Sequence, residues 1–159
     1  MSYRLTVNGA TLEVEASALR PLATVLRDQG LTGTKVCCFE GRCGSCTVLV
    51  DGSAVVSCLY PVGLADAATV ETVEGLAPRD GPLHPVQRAI LEAGGVQCGI
   101  CTPGMLMSLS SLLAATPAPT ESDVHEALAG NICRCTGYRG IVDAALALGR
   151  DAVEEAGRV

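Results

Sequence analysis

The sequence predicts an α+β protein with a strand-rich N-terminal half, residues 1–76, and a helical C-terminal half, residues 77–159. Apolar residues alternate with polar ones in the first half and recur at helical spacing in the second. Eight of the nine cysteines form two quartets, one in each half. The quartets are Cys38, Cys43, Cys46 and Cys58, and Cys98, Cys101, Cys133 and Cys135. A chain of 159 residues has room for two small domains, each stabilised by its own metal site.

A β-hairpin and a short helix are expected first. Residues 2–7 alternate like a strand, and the dipeptide Asn8-Gly9 favours the tight turn that joins two antiparallel strands. Pro21 suits a first helical turn, and Gly30 stands where a helix C-terminus favours glycine. We therefore expect a helix between these two residues.

Three further strands are expected in the first half. The runs at 47–50, 54–57 and 69–73 are rich in β-branched residues. The loop over residues 35–46 carries three cysteines of the first quartet. Because loops lie on the surface of a scaffold, we expect this loop to carry the three thiols on its surface.

Four helices, arranged as two hairpins, are expected in the second half. The first covers residues 83–93, and the second begins at Thr102-Pro103, a cap followed by a first-turn proline. A capping box at residues 120–123 begins the third, and apolar residues at helical spacing from Ile141 indicate the fourth. Cys98 and Cys101 then lie between the first two helices, and Cys133 and Cys135 between the last two.

The spacing of the cysteines indicates the metal chemistry. The first quartet has the C-x4-C-x2-C spacing and distant fourth cysteine of plant-type [2Fe–2S] ferredoxins, whereas structural zinc favours paired C-x2-4-C arms. The second quartet, taken alone, fits an iron–sulfur cluster or zinc. Only Cys38 keeps the x4 interval to Cys43, so we assign it as a ligand. Cys37 is expected to be a small buried residue, with a rescue ligand or a redox-sensitive thiol as the alternative.

Composition and charge exclude several classes of protein. A net charge of −6 with only 11 basic residues predicts no nucleic-acid partner. The longest apolar stretch, residues 104–115, contains serines and is too short to span a membrane. The odd cysteine count and the absence of a signal-peptide pattern indicate a reducing, cytoplasmic location. No catalytic motif is present, so substrate chemistry is expected on another chain.

Four motifs occur in a specific order along nearly the whole chain. They are L-T-G-T-K at 31–35, C-G-S-C-T-V at 43–48, Q-C-G-I-C-T-P-G at 97–104 and N-I-C-R-C-T-G-Y at 131–138. This combination resembles the small iron–sulfur subunit of xanthine oxidase family molybdenum hydroxylases. The sequence departs from the family at Cys37 and Phe39, because the family usually has glycines on both sides of the first ligand.

The resemblance implies a fold, two partners and a direction of electron flow. It implies a β-grasp ferredoxin-like domain and an all-α four-helix domain, each with one [2Fe–2S] cluster. The implied partners are a large molybdopterin-binding subunit and a medium FAD-binding subunit, in a dimer of heterotrimers. Electrons would pass from molybdenum through both clusters to FAD.

The resemblance also implies a role for one residue outside the two quartets. It places Gln97 beside the pterin and the second-quartet cluster nearest to molybdenum. A loop-capping amide is the alternative for Gln97. A free-standing two-cluster ferredoxin-type carrier is the alternative function, and a zinc-stabilised interaction module is a third.

Overall fold

Five strands form one mixed sheet in the computed structural model, which describes residues 1–156 and the side chains of residues 1–150. The strands are β1 (Ser2–Val7), β2 (Ala10–Glu15), β3 (Thr47–Val50), β4 (Ser53–Val56) and β5 (Thr69–Glu71). Their order is β2-β1-β5-β3-β4, and only β1 and β5 are parallel neighbours. The predicted hairpin and later strands are present. The last strand was expected to reach Val73 but ends at Glu71, because residues 73–75 form a 3₁₀ turn.

Helix α1 (Leu22–Asp28) packs on one face of this sheet. Leu22, Val25 and Leu26 recur at helical spacing, and all three are buried against strand residues such as Leu5 and Val48. Each buried aliphatic side chain of this size contributes about 1.5–3 kcal/mol to folding. This core supports the loop between α1 and β3, which carries three cysteines.

Four helices follow the sheet along the chain. They are α2 (Pro85–Glu92), α3 (Thr102–Ala115), α4 (Glu121–Leu128) and α5 (Arg139–Ala156). The predicted capping box is present, since the Thr120 hydroxyl accepts from the Asp123 N–H and the Asp123 carboxylate accepts from the Thr120 N–H. The first of these helices was expected from Leu83 but begins at Pro85, because His84 caps it through its own side chain. None of the described helices has both the length and the apolar character needed to cross a membrane.

The helices share a second hydrophobic core, and α3 also packs against the sheet. Ile90, Met105 and Ile141 are fully buried in this core. Helix α3 contacts β3 and β4, and the Ser111 hydroxyl donates a 2.9 Å hydrogen bond to the Gly52 carbonyl in the turn between those strands. Division of the chain at residue 76 into two domains stays a prediction.

Candidate metal centres

The first cysteine quartet lies at one end of the β3–β4 hairpin. The antiparallel register pairs Thr47 with Val56 and so places Ser57 opposite Cys46, with Cys58 one residue further along the chain. Cys46 and Cys58 are buried, and their sulfurs are in hydrogen-bonding contact. Cys38 and Cys43 are half-buried in the loop, and their sulfurs are also in contact. The structure thus arranges the four predicted ligands as two contacting pairs.

The second quartet lies where the α2–α3 and α4–α5 loops meet. The Cys98 and Cys135 sulfurs are 3.5 Å apart and exposed. The Cys101 and Cys133 sulfurs are also in hydrogen-bonding contact, with Cys101 buried and Cys133 half-buried. This quartet therefore has an exposed pair and an inner pair, each with one member from either loop.

Paired sulfurs fit a two-iron cluster. Each iron of a [2Fe–2S] cluster takes two cysteine ligands, whereas a structural zinc ion takes all four on one tetrahedral centre. The arrangement of the sulfurs therefore supports the iron–sulfur interpretation over zinc in both quartets.

The first quartet contains one thiol that ionises readily and one that does not. The Glu40 N–H, 3.4 Å from the Cys38 sulfur, and the N–H groups of Cys43 and Arg42 lower the pKa of Cys38 to about 6. Burial raises the pKa of Cys46 to about 11. Backbone N–H groups around a sulfur stabilise negative charge, as a thiolate-ligated cluster requires. Ligation deprotonates all four thiols, so cluster assembly releases the Cys46 proton.

The second quartet shows the same contrast. Burial raises the pKa of Cys101 to about 12. Burial also acts to raise the pKa of Cys133. Hydrogen bonds with the hydroxyl and N–H of Thr136, at 3.0 and 3.5 Å, with the Cys135 N–H and with the Cys101 thiol together lower that pKa to about 7. The Thr136 hydroxyl is therefore placed to donate to a ligand sulfur.

Tyr138 closes the loop that carries Cys133 and Cys135, a role that the sequence did not reveal. Its hydroxyl donates to the Asn131 carbonyl at 2.9 Å and accepts from the Cys133 N–H at 2.8 Å. Tyr138, Thr136 and Asn131 all belong to the N-x-C-R-C-T-G-Y motif. Membership of that motif was the one available signal that these residues support the ligands.

The two quartets lie next to each other. The Ile132 N–H donates to the Cys43 carbonyl at 2.9 Å, which joins a first-quartet ligand to the residue before Cys133. A cavity of about 200 Å³ lies between the loops. Its lining includes Cys37, Cys43, Cys98, Cys101, Cys133 and Cys135. Both predicted sites thus border the same small volume.

The expectation that Cys37 is buried was wrong. Cys37 is exposed and lines the cavity between the cysteine loops, whereas Cys38 contacts Cys43 in the first quartet. This arrangement agrees with the assignment of Cys38, rather than Cys37, as the ligand.

Phe39 occupies a backbone conformation that glycine normally provides. Its φ is +58°, in the left-handed region, and its side chain is 51 % exposed. A non-glycine residue in this region costs roughly 1–2 kcal/mol. The loop keeps the left-handed conformation despite the missing glycine, and the Glu40 N–H still reaches the Cys38 sulfur.

Gln97 lies on the protein surface, directly before the exposed Cys98. A contact of Gln97 with the pterin stays a prediction, with a loop-capping amide as the alternative.

The fold and the two cysteine sites define a protein with two [2Fe–2S] binding units. Residues 5–74 match the family model described as a 2Fe-2S iron-sulfur cluster binding domain. Residues 72–146 match the model described as a [2Fe-2S] binding domain. The paired sulfurs of each quartet lie within these two matched segments.

Similar proteins identify the family more closely. The chain is 50 % identical to the nicotine 6-hydroxylase small subunit of Paenarthrobacter nicotinovorans, over 88 % of this chain and 84 % of the relative. It is 45 % identical to the xanthine dehydrogenase iron-sulfur-binding subunit of Escherichia coli O157:H7, over 92 % of each chain. In the crystal structure of quinoline 2-oxidoreductase from Pseudomonas putida 86, a chain with 41 % identity superposes with a TM-score of 0.89, covering 97 % of this chain and 96 % of that one. The chain belongs to the small [2Fe–2S] subunits of the xanthine oxidase family.

Proposed function

We propose that this chain is the electron-transfer subunit of a molybdenum hydroxylase or dehydrogenase complex. Electrons pass from a molybdopterin site on a large subunit through two [2Fe–2S] clusters to FAD on a medium subunit. When bound, each cluster supplies a one-electron redox site. Its proposed ligands are the four cysteines of its quartet. The chain's own residues hold the clusters, donate hydrogen bonds to the ligand sulfurs and set the separation of the two sites.

One observation carries this proposal. The Cys43 carbonyl and the Ile132 N–H are joined by a 2.9 Å hydrogen bond, so ligands of both quartets lie on adjoining loops. Two unrelated structural metal sites would have no need to adjoin. Electron transfer between two redox centres requires them to be close, which supports a single conducting path.

The proposal includes partners and a location. Relatives named as small or iron-sulfur-binding subunits support a subunit over a free-standing ferredoxin-type carrier. We propose a dimer of heterotrimers with the ferredoxin-like domain at residues 1–76 and the four-helix domain at residues 77–159. A reducing cytoplasmic setting suits eight cysteine ligands. The named substrates of the relatives differ, so the substrate is a property of the large subunit.

The first prediction concerns metal content. We expect about four irons and four acid-labile sulfides per chain, as two [2Fe–2S] clusters require. Chemical reduction is expected to give two distinguishable EPR signals from the two clusters. Metal analysis, sulfide assay and EPR of the purified complex test this. Bound zinc without labile sulfide in either half would contradict it, because zinc is colourless and redox-inactive.

The second prediction concerns the entry point of electrons. In the assembled complex, Gln97→Ala is expected to slow reduction of the clusters by substrate roughly tenfold, the effect of losing about 1.4 kcal/mol of contact beside the pterin. Both EPR signals after chemical reduction are expected to stay intact. Gln29→Ala, which removes an exposed amide from the other half, is the matched control. Unchanged reduction by substrate would show that electrons do not enter beside Gln97.

A further inference from the structure

The loop of Cys43 and the loop of Cys133 meet at a tightly packed seam formed by residues 43–47, 104, 108 and 130–132. Asn131 contributes a buried side-chain amide to this seam. Its side chain is only 3 % exposed. The Nδ2 group donates to the Gly44 carbonyl at 3.0 Å and to the Thr47 hydroxyl at 3.3 Å, and Oδ1 accepts from the Ser108 hydroxyl at 2.8 Å. The amide nitrogen and oxygen are thus both hydrogen-bonded, with partners from the first-quartet loop, from the first residue of β3 and from α3.

The seam around this amide has no spare volume. A Cβ on Gly44 would overlap the Gly130 carbonyl oxygen and lie 2.7 Å from Asn131 Nδ2. A Cβ on Gly104 in α3 would overlap the Gly44 carbonyl oxygen and lie 3.0 Å from the same nitrogen. The amide is therefore held between two backbone segments that approach closely.

Asn131 also connects ligands of both quartets. Its side chain holds Gly44 and Thr47, which are the neighbours of Cys43 and Cys46. Along the chain it is two residues before Cys133. A shift of this residue would therefore move one cluster site relative to the other, not merely loosen one of them.

We infer that Asn131 is a positioning residue that fixes the separation and orientation of the two clusters. The inference rests on the proposed function, because it takes the two quartets as cluster ligands. Aspartate has nearly the same shape, but its carboxylate would face the Gly44 carbonyl without a donor. A buried acceptor facing another acceptor is destabilising, so Asn131→Asp is expected to open the seam.

The test is the magnetic interaction between the two clusters in the fully reduced complex. Dipolar coupling between unpaired spins falls with the cube of their separation, so it reports distance even when both clusters are intact. We expect the fully reduced parent complex to show a dipolar splitting of its EPR signals. Asn131→Asp is expected to keep its iron and sulfide but to lose that splitting. Thr47→Val, a milder isosteric change that removes one acceptor of the amide, is expected to reduce the splitting in the same direction.

A matched control removes a different hydrogen bond between the halves. Ser111→Ala deletes the 2.9 Å bond to the Gly52 carbonyl, away from both cysteine loops, and is expected to leave the splitting unchanged. Splitting of parental size in both Asn131→Asp and Thr47→Val would overturn the inference and leave the proposed function standing. A parent complex without two reducible clusters would overturn the proposed function, and this inference with it.

Discussion

Cys38→Ser is expected to remove the first cluster and leave the second, whereas Cys37→Ser leaves both assembled. Cys38 contacts the Cys43 sulfur and accepts the Glu40 N–H, so its sulfur already occupies a ligand position. Cys37 is exposed and lines the cavity between the two cysteine loops. Iron content is expected to fall by about half in Cys38→Ser, since each cluster holds two irons. One of the two EPR signals should disappear with it.

A double variant separates direct ligation from rescue. If Cys37 can replace its neighbour, Cys38→Ser retains part of the first cluster and the double variant Cys37→Ser, Cys38→Ser loses it. Loss of the first cluster in the Cys37→Ser single variant would show that the wrong cysteine of this loop was assigned as a ligand. Because metal binding contributes to folding, the Cys38→Ser protein is also expected to unfold at lower temperature.

Local chemistry made most of the strands and helices predictable. The hairpin turn at Asn8-Gly9 and the capping box at Thr120 depend on residues a few positions apart, and both are present. The cysteine spacing likewise predicts the two quartets from local sequence, because the closely spaced cysteines of each quartet lie within short loops. The end of β5 was misplaced because the apolar residue Val73 begins a 3₁₀ turn that packs toward the helices.

Contacts across long stretches of sequence could not be predicted. Asn131 binds groups that precede it by 84 and 87 residues, and its membership of the N-x-C-R-C-T-G-Y motif does not show which distant groups its side chain contacts. The direction of Cys37 likewise depends on the path of the whole loop. Spacing shows which cysteines can share a metal, but only the folded loop shows which side of the chain each thiol faces.

Gly104→Ala is expected to destabilise the protein strongly, although alanine is the better helix former. In an exposed helix interior the change would stabilise the helix by about 1 kcal/mol. At this position the new Cβ would overlap the Gly44 carbonyl oxygen, a backbone atom that cannot rotate away. Overpacking of this kind lowers the free energy of unfolding by about 1–3 kcal/mol.

Displacement of α3 from the first-quartet loop would lower the stability of the Gly104→Ala protein further. Moving α3 away from the first-quartet loop weakens the hydrogen bonds that Gly44 and Cys43 accept from Asn131 and Ile132, each worth about 1 kcal/mol. After the gain in helix propensity is subtracted from the losses due to steric overlap and weakened hydrogen bonds, the free energy of unfolding is expected to fall by about 2–4 kcal/mol. For a chain of this size that corresponds to a decrease in Tm of roughly 5–15 °C.

Gly130→Ala provides the matched control at the same seam. A Cβ at Gly130 meets no atom within 4 Å, so this substitution is expected to leave Tm unchanged or raise it slightly. Thermal unfolding of both variants, followed by circular dichroism and by the visible absorption of the clusters, distinguishes steric overlap from a general sensitivity of the loops. A Gly104→Ala protein as stable as the parent would mean that α3 and the first-quartet loop can separate at little cost, and the close approach of the two cysteine loops would then have to depend on the partner subunits.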